Sequence, residues 1–321
     1  MRRVLVVIST ATLVLATGVA AALTPARTVT EPTRVSALSV TSRTVVYAVT
    51  ENATRTRCAY VSLWDTATRG LWRLGSSTTR VCLEGPSTGS GIADVSTSGR
   101  RAFWLTFVGG NTREYTLWTA TPTRRSPRRL ADESSDVDSG SSPIVLADGS
   151  RDGVAYAVGP VVTYVADTGA RLFRTELASP VWLLATGSGP AGARVAAALE
   201  NGRVVSLSAQ GRVLATSQPG AAVSALGLAL AGPVVQRGRE VTVGATTVDL
   251  PAGALVLDYR DGRLLYARGS QVRSLRVATG DDVLLRQIQV EPGLRPLFST
   301  DAGSSAWASG SAVSWRGGPL P

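Results

Sequence analysis

Two charged runs lie side by side in this chain. TRRSPRRL carries Arg124, Arg125, Arg128 and Arg129 around a turn held by Pro127, and DESSDVDSG follows at once with Asp132, Asp136 and Asp138. Guanidinium forks match phosphate and carboxylate bidentately, so the four arginines form a candidate grip for an anion. The aspartates, spaced by serines, offer the hard oxygens that Ca²⁺ takes, although their spacing is not that of an EF-hand. The competing reading is plainer. Opposite charges next to one another in a Ser- and Asp-rich segment describe a solvated loop whose two halves pair electrostatically.

Acid chemistry has a wider set of candidates in Asp94, Glu114, Asp148, Glu200, Asp258 and Asp261. A glycosidase needs two such carboxyls facing one sugar ring, and no motif singles out a pair. Asp261 precedes Gly262 and Glu200 precedes Asn201-Gly202, which marks both as hairpin positions. Other chemistry is excluded by composition. The chain has no histidine, and all 33 of its basic residues are arginine. Without imidazole there is no Ser-His-Asp or Cys-His activation, and without lysine there is no Schiff base or P-loop contact. No residue is therefore assigned a catalytic role. A non-enzymatic binding protein is the leading expectation, and a carboxylate-dependent glycoside hydrolase or lyase is the alternative.

The N-terminus sets the compartment. Arg2 and Arg3 precede an uncharged apolar run from Val4 to Leu23 that passes through Ala20, Ala21 and Ala22, the pattern of a secretory signal over residues 1–22. Uncleaved, a run of this length would serve as a membrane anchor. Either way the mature part, 23–321, is expected outside the cytoplasm, secreted or bound to the envelope. In that oxidising setting the only two cysteines, Cys58 and Cys82, are expected to form one disulfide. The net charge of +10 suits a protein partner or an anionic envelope polymer. Nucleic acid is not expected of an exported chain without aromatic-basic stripes. A monomer without a required cofactor is expected, Ca²⁺ being the one ion that the acidic run suggests.

These residues must be positioned by strands. Past the apolar leader, short runs rich in Val, Leu, Ala, Tyr and Trp alternate with turns of two to four residues, and helical spacing is almost absent. The clearest unit runs from Leu255 to Val290, with strands LVLDY, RLLYAR, QVRSLRVA and DDVLLRQIQV joined by tight turns. Four antiparallel strands of this kind make one propeller blade. Similar units start at Val181 and Pro143, near Ile92 and at Arg34, and Ala222 to Pro251 forms a shorter one, with insertions at Ser76 to Ser90 and Arg124 to Ser142. The C-terminal LRPLFST, SSAWAS and AVSWRG leave a seventh blade one strand short. RTVTEP, Arg27 to Pro32, is placed to supply that strand by pairing with AVSWRG. The expected fold is one all-β domain, a seven-bladed β-propeller of four-stranded antiparallel blades closed by an N-terminal strand, with six blades as the alternative count.

STSGRRAFWLTF from Ser96, with the later LWTATPTRRSPRRLA, resembles the S-P-D-G-x-x-x-A-F repeat of TolB-type and WD40-like propellers. LWDTATRGLWRL, from Leu63 to Leu74, resembles the Trp-Asp hairpin of a WD repeat, and FSTDAGSSAWAS from Phe298 is similar to the first element with one residue inserted. The Pro-Asp of the repeat is replaced by Thr97-Ser98, and no Gly-His dipeptide is present. The resemblance implies a fold and partner binding. It carries over no functional residue.

Overall fold

The computed structural model describes residues 26–50, 58–75, 81–82, 89–136, 142–290, 295–301 and 303–318. Its strands fall into seven antiparallel sheets. Blade 1 comprises β2 (Val35–Thr41), β3 (Thr44–Val49), β4 (Cys58–Asp65) and β5 (Gly70–Leu74), with the short β6 (Val81–Cys82) also on β4. Blade 2 comprises β7 (Ser90–Ser98), β8 (Arg101–Gly109), β9 (Thr112–Ala120) and β10 (Arg128–Asp136). Blades 3 to 6 each hold four consecutive strands, from β11 (Ile144–Leu146), β15 (Val181–Thr186), β19 (Ala225–Ala229) and β23 (Leu255–Arg260) onward. β27 (Leu297–Asp301), β28 (Ser304–Ser309) and β29 (Ala312–Gly317) form blade 7, completed by the N-terminal β1 (Arg27–Thr30). The first strands contact one another in a closed cycle, β2, β7, β11, β15, β19, β23, β27 and back to β2. They therefore line the axis. The fold is the seven-bladed β-propeller that the strand pattern predicts.

Tight turns make this possible. Asp261 and Gly262 hold φ of 49° and 74° between β23 and Arg263. Two successive left-handed residues give the turn whose twist matches an antiparallel hairpin. The facing sheets then bury their apolar sides between blades, as where Val46, Leu63 and Trp104 pack together from blades 1 and 2. Trp64, Trp104, Trp307 and Trp315 are buried in this way, whereas Trp182 is 47% exposed.

β1 pairs with β29 from Arg27 opposite Trp315 to Thr30 opposite Ala312, so the two ends of the chain close the ring. The next residue secures the seam. Glu31 is buried, and its carboxylate accepts hydroxyl hydrogen bonds from Tyr47 (2.5 Å), Tyr60 (2.8 Å) and Ser62 (3.4 Å) of blade 1. Burial and the bond to Glu31 raise the Tyr47 phenol far above its ordinary range and push Tyr60 up to about 12. Both stay protonated donors.

One expectation needs correction. The segment from Arg128 through Asp136 is not a loop or insertion but the outermost strand of blade 2, paired residue by residue with β9 apart from one register shift near Leu130. An outer strand buries little, so β10 forms on backbone hydrogen bonds without the apolar alternation that marks strands in sequence. Its charges also discourage edge-to-edge pairing. Within the Ser76 to Ser90 insertion, β6 pairs with β4 and sets Cys82 directly opposite Cys58.

Candidate functional site

At one end of the axis a cavity of about 720 Å³ opens between the first strands of blades 3 to 7 and the turns that follow them. Its polar rim repeats around the axis. Each first hairpin closes on a residue pair, such as Thr41 with Thr44, Ser98 with Arg101, Ser150 with Gly153, Arg260 with Arg263 and Asp301 with Ser304. Two residues earlier stand Ser39, Ser96, Asp148, Asp258 and Ser299. Small hydroxyls and carboxylates thus occupy one level of the channel wall.

On the blade 6 and 7 side the acids are paired. Arg260 Nε donates to Asp258 at 2.6 Å, its Nη1 lies 3.6 Å from Asp301, and its Nη2 donates to the Thr300 carbonyl at 3.0 Å. The Thr300 hydroxyl bonds Asp258, and the Ser42 backbone N–H donates to Asp301 at 2.6 Å, which ties blades 6, 7 and 1 together. These contacts fix the rim.

The blade 2 and 3 side differs. Asp94 on β7 accepts only the N–H of the next residue, Val95, at 2.8 Å, and Asp148, past the end of β11, has no side-chain bond among the described residues. Burial and the charge of Asp148 push Asp94 up to about 7. Asp148 is open to solvent at the mouth but walled by protein, and that enclosure, with the charge of Asp258, pushes it up to about 6. Ser96 follows Asp94 on the same strand face and is fully buried, and its hydroxyl has no partner among the described residues. Gly149 allows the close fit. A Cβ there would stand 1.7 Å from the Thr97 carbonyl oxygen and 3.1 Å from Ser96 Oγ. The Thr186 hydroxyl bonds the Asp148 carbonyl from blade 4 and holds the segment from its other side.

No protein-family model matches the chain, and no curated protein does. Solved structures do. A chain in the crystal structure of a mitotic checkpoint complex aligns over 98% of both chains at 16% identity and a TM-score of 0.57. The Raptor protein of Chaetomium thermophilum aligns over 93% of this chain at 12% identity and a TM-score of 0.54, and this chain spans 29% of Raptor's length. The fold is that of the WD40 propellers. With 677 solved chains matching, the likeness assigns architecture and leaves function to the site.

The residues singled out in the sequence are distributed unevenly. Of the six acids weighed for catalysis, Asp148, Asp258 and Asp261 line the cavity and Asp94 lies beside Asp148, while Glu114 is on β9. The arginine run does not form one grip. Arg128 donates to the Gly169 carbonyl at 2.7 Å, beside Arg101, which holds the Asp167 and Thr168 carbonyls at 2.9 and 2.8 Å, so these side chains clamp blade 2 to a turn of blade 3. Arg125 donates to the Pro122 carbonyl at 3.3 Å, and the Arg124 backbone N–H donates to the Thr121 hydroxyl. Arg129 pairs with Asp132 at 3.5 Å with both side chains 61% exposed. Asp132 and Asp136 lie four residues apart on one strand, a rise of roughly 13 Å, so the strand does not bring them together around one ion. Asp136 accepts from the Thr112 hydroxyl at 3.2 Å, and Asp138 lies outside the described residues. Ser96, Arg260 and Asp301 escaped the sequence reading of the site. Their signal was positional, a fixed offset from each first hairpin.

Proposed function

We propose that this chain is an exported, non-enzymatic propeller that docks a protein partner over the open end of its channel. The observation that carries the reading is the cavity itself: a concave site at the convergence of five blades, with apolar walls and a few aimed polar groups, is where propellers of any sequence have room for a partner segment. Leu230, 79% exposed on its rim, adds an apolar contact next to the charged groups. The arginines of β10 are engaged within the fold, which favours a protein segment at the mouth over an anionic polymer gripped by that strand.

Export is supported by the arginine-led apolar run of residues 1–22, and the register of Cys58 against Cys82 supports a disulfide. N-terminal sequencing of protein recovered outside the cytoplasm tests the first point. A start after Ala22 fits secretion, and a start at Met1 fits an anchor.

The docking test is cross-linking in the envelope from a photoreactive residue placed at Leu230, with one at Leu172 on the outer rim as control. Adducts specific to Leu230 support docking at the mouth; adducts only at Leu172 overturn it. A hydrolase or lyase reading draws on Asp94 and Asp148, two neighbouring carboxyls raised towards neutrality beside a cavity. Turnover on a polysaccharide panel, lost in Asp148→Asn, would establish it.

A further inference from the structure

The acids of the channel mouth differ in one respect that matters for a ligand. Asp258 and Asp301 share Arg260, Asp152 pairs with Arg194 at 2.8 Å, and Arg151 donates to the Ser42 hydroxyl at 3.3 Å. The cations around the mouth are thus engaged elsewhere. Asp94 and Asp148 face one another across the junction of blades 2 and 3 with no cationic partner among the described residues, in a chain whose net charge is +10.

A second, independent observation lies on the same strand face. Ser96 is fully buried, and its hydroxyl, without a partner, is aimed at the Asp148–Gly149 wall. The opposite face carries Val95, which packs into the core between blades 1 and 2, so Asp94 and Ser96 both project towards blade 3. A buried hydroxyl and two carboxylates, all short of donors, form an acceptor-only site. Left empty, such a site costs stability.

We infer that Asp94, Asp148 and Ser96 form a receptor for one guanidinium group, an arginine side chain that a partner segment inserts along the channel axis. This rests on the docking reading above and names the chemistry of the inserted residue. A guanidinium is planar, rich in donors and weakly hydrated, so it satisfies several acceptors at once where a hydrated ammonium satisfies fewer. Its alkyl stem would lie against the partly exposed Leu228 and Phe298 of the cavity wall. The raised acidity constants of the two aspartates agree with this arrangement, because each carboxylate lacks the positive neighbour that would hold it ionised.

The test uses the mature protein with three blocked pentapeptides, Gly-Ala-X-Ala-Gly, in which X is arginine, lysine or citrulline, followed by calorimetry at pH 8. The arginine peptide is expected to bind, lysine more weakly, and neutral citrulline not at all. Asp148→Asn and Asp94→Asn are each expected to weaken the arginine peptide about tenfold or more. Ser96→Ala should weaken it less while leaving thermal stability unchanged or higher. Circular dichroism melts of each variant establish that it is folded.

Equal binding of the arginine and citrulline peptides, binding unaffected by both asparagine variants, or no binding of the arginine peptide would overturn the receptor. The cross-linking at Leu230 separates the two levels. Adducts at the mouth that persist in the double asparagine variant sink the receptor and keep the docking reading; absence of mouth adducts sinks both.

Discussion

Two places in this propeller enclose a carboxylate, and they are built in opposite ways. At the closing seam, Glu31 meets the hydroxyls of Tyr47, Tyr60 and Ser62, each held in place by blade 1. At the channel mouth, Asp94 and Asp148 meet each other. The first carboxylate is supplied with donors and has nothing further to bind. The second pair is supplied with none. An enclosed acid that the fold satisfies is part of the closure, and one that it leaves unsatisfied is open to a ligand.

The largest expected effect is at the seam. Glu31→Ala removes the acceptor of a fully buried phenol and should destabilise the protein by about 3–5 kcal/mol, read from urea unfolding at pH 7. A change within measurement error would mean that β1 alone closes the ring. Loss of the Cys58 to Cys82 link comes next. In the oxidised protein Cys58→Ser should cost roughly 3 kcal/mol, and the wild type should lose a comparable amount in reductant. A wild-type melt insensitive to reductant would remove the disulfide from the account.

Asp94→Asn should act in the opposite direction from Glu31→Ala. Its folded-state acidity constant is raised to about 7 by burial and the facing Asp148, so the native state favours the protonated acid. The stability linked to that proton is fully present below the ordinary value near 3.8 and is lost as pH rises through 7. The asparagine variant should therefore match the wild type near pH 4 and exceed it by on the order of 1 kcal/mol at pH 8, after allowance for partial exposure. Denaturant midpoints at the two pH values decide this, and equal differences at both would contradict it. The smallest effect belongs to Arg129→Ala, whose exposed pairing with Asp132 should be worth about 0.5 kcal/mol or less and vanish in high salt.

The architecture was legible in the chain because each hairpin carries its own instructions. Asp261-Gly262 and Asn201-Gly202 mark turns, apolar runs of strand length flank them, and the missing strand of blade 7 pointed to Arg27–Thr30. β10 was illegible as a complete strand because an outer edge needs no apolar face. Glu31, between Thr30 and Pro32, reads as linker until closure of the ring brings two tyrosines onto it. Asp94, Asp148 and Asp258 belong to three different blades, and only the circular arrangement sets them at one mouth. Long-range convergence of this kind leaves no local pattern, whereas charged runs such as TRRSPRRL attract attention and here serve to clamp neighbouring blades.

The comparison stands or falls on one paired measurement, the urea unfolding midpoints of Glu31→Gln and Asp148→Asn at pH 8. Both substitutions keep the shape and remove the charge. Glu31→Gln should lower the midpoint, because the buried amide replaces an acceptor for three hydroxyls, and Asp148→Asn should leave it unchanged or raise it. If Asp148→Asn instead destabilises the protein as much as Glu31→Gln does, Asp148 is a structural carboxylate with partners in the fold, and the channel mouth loses its claim to be a binding site.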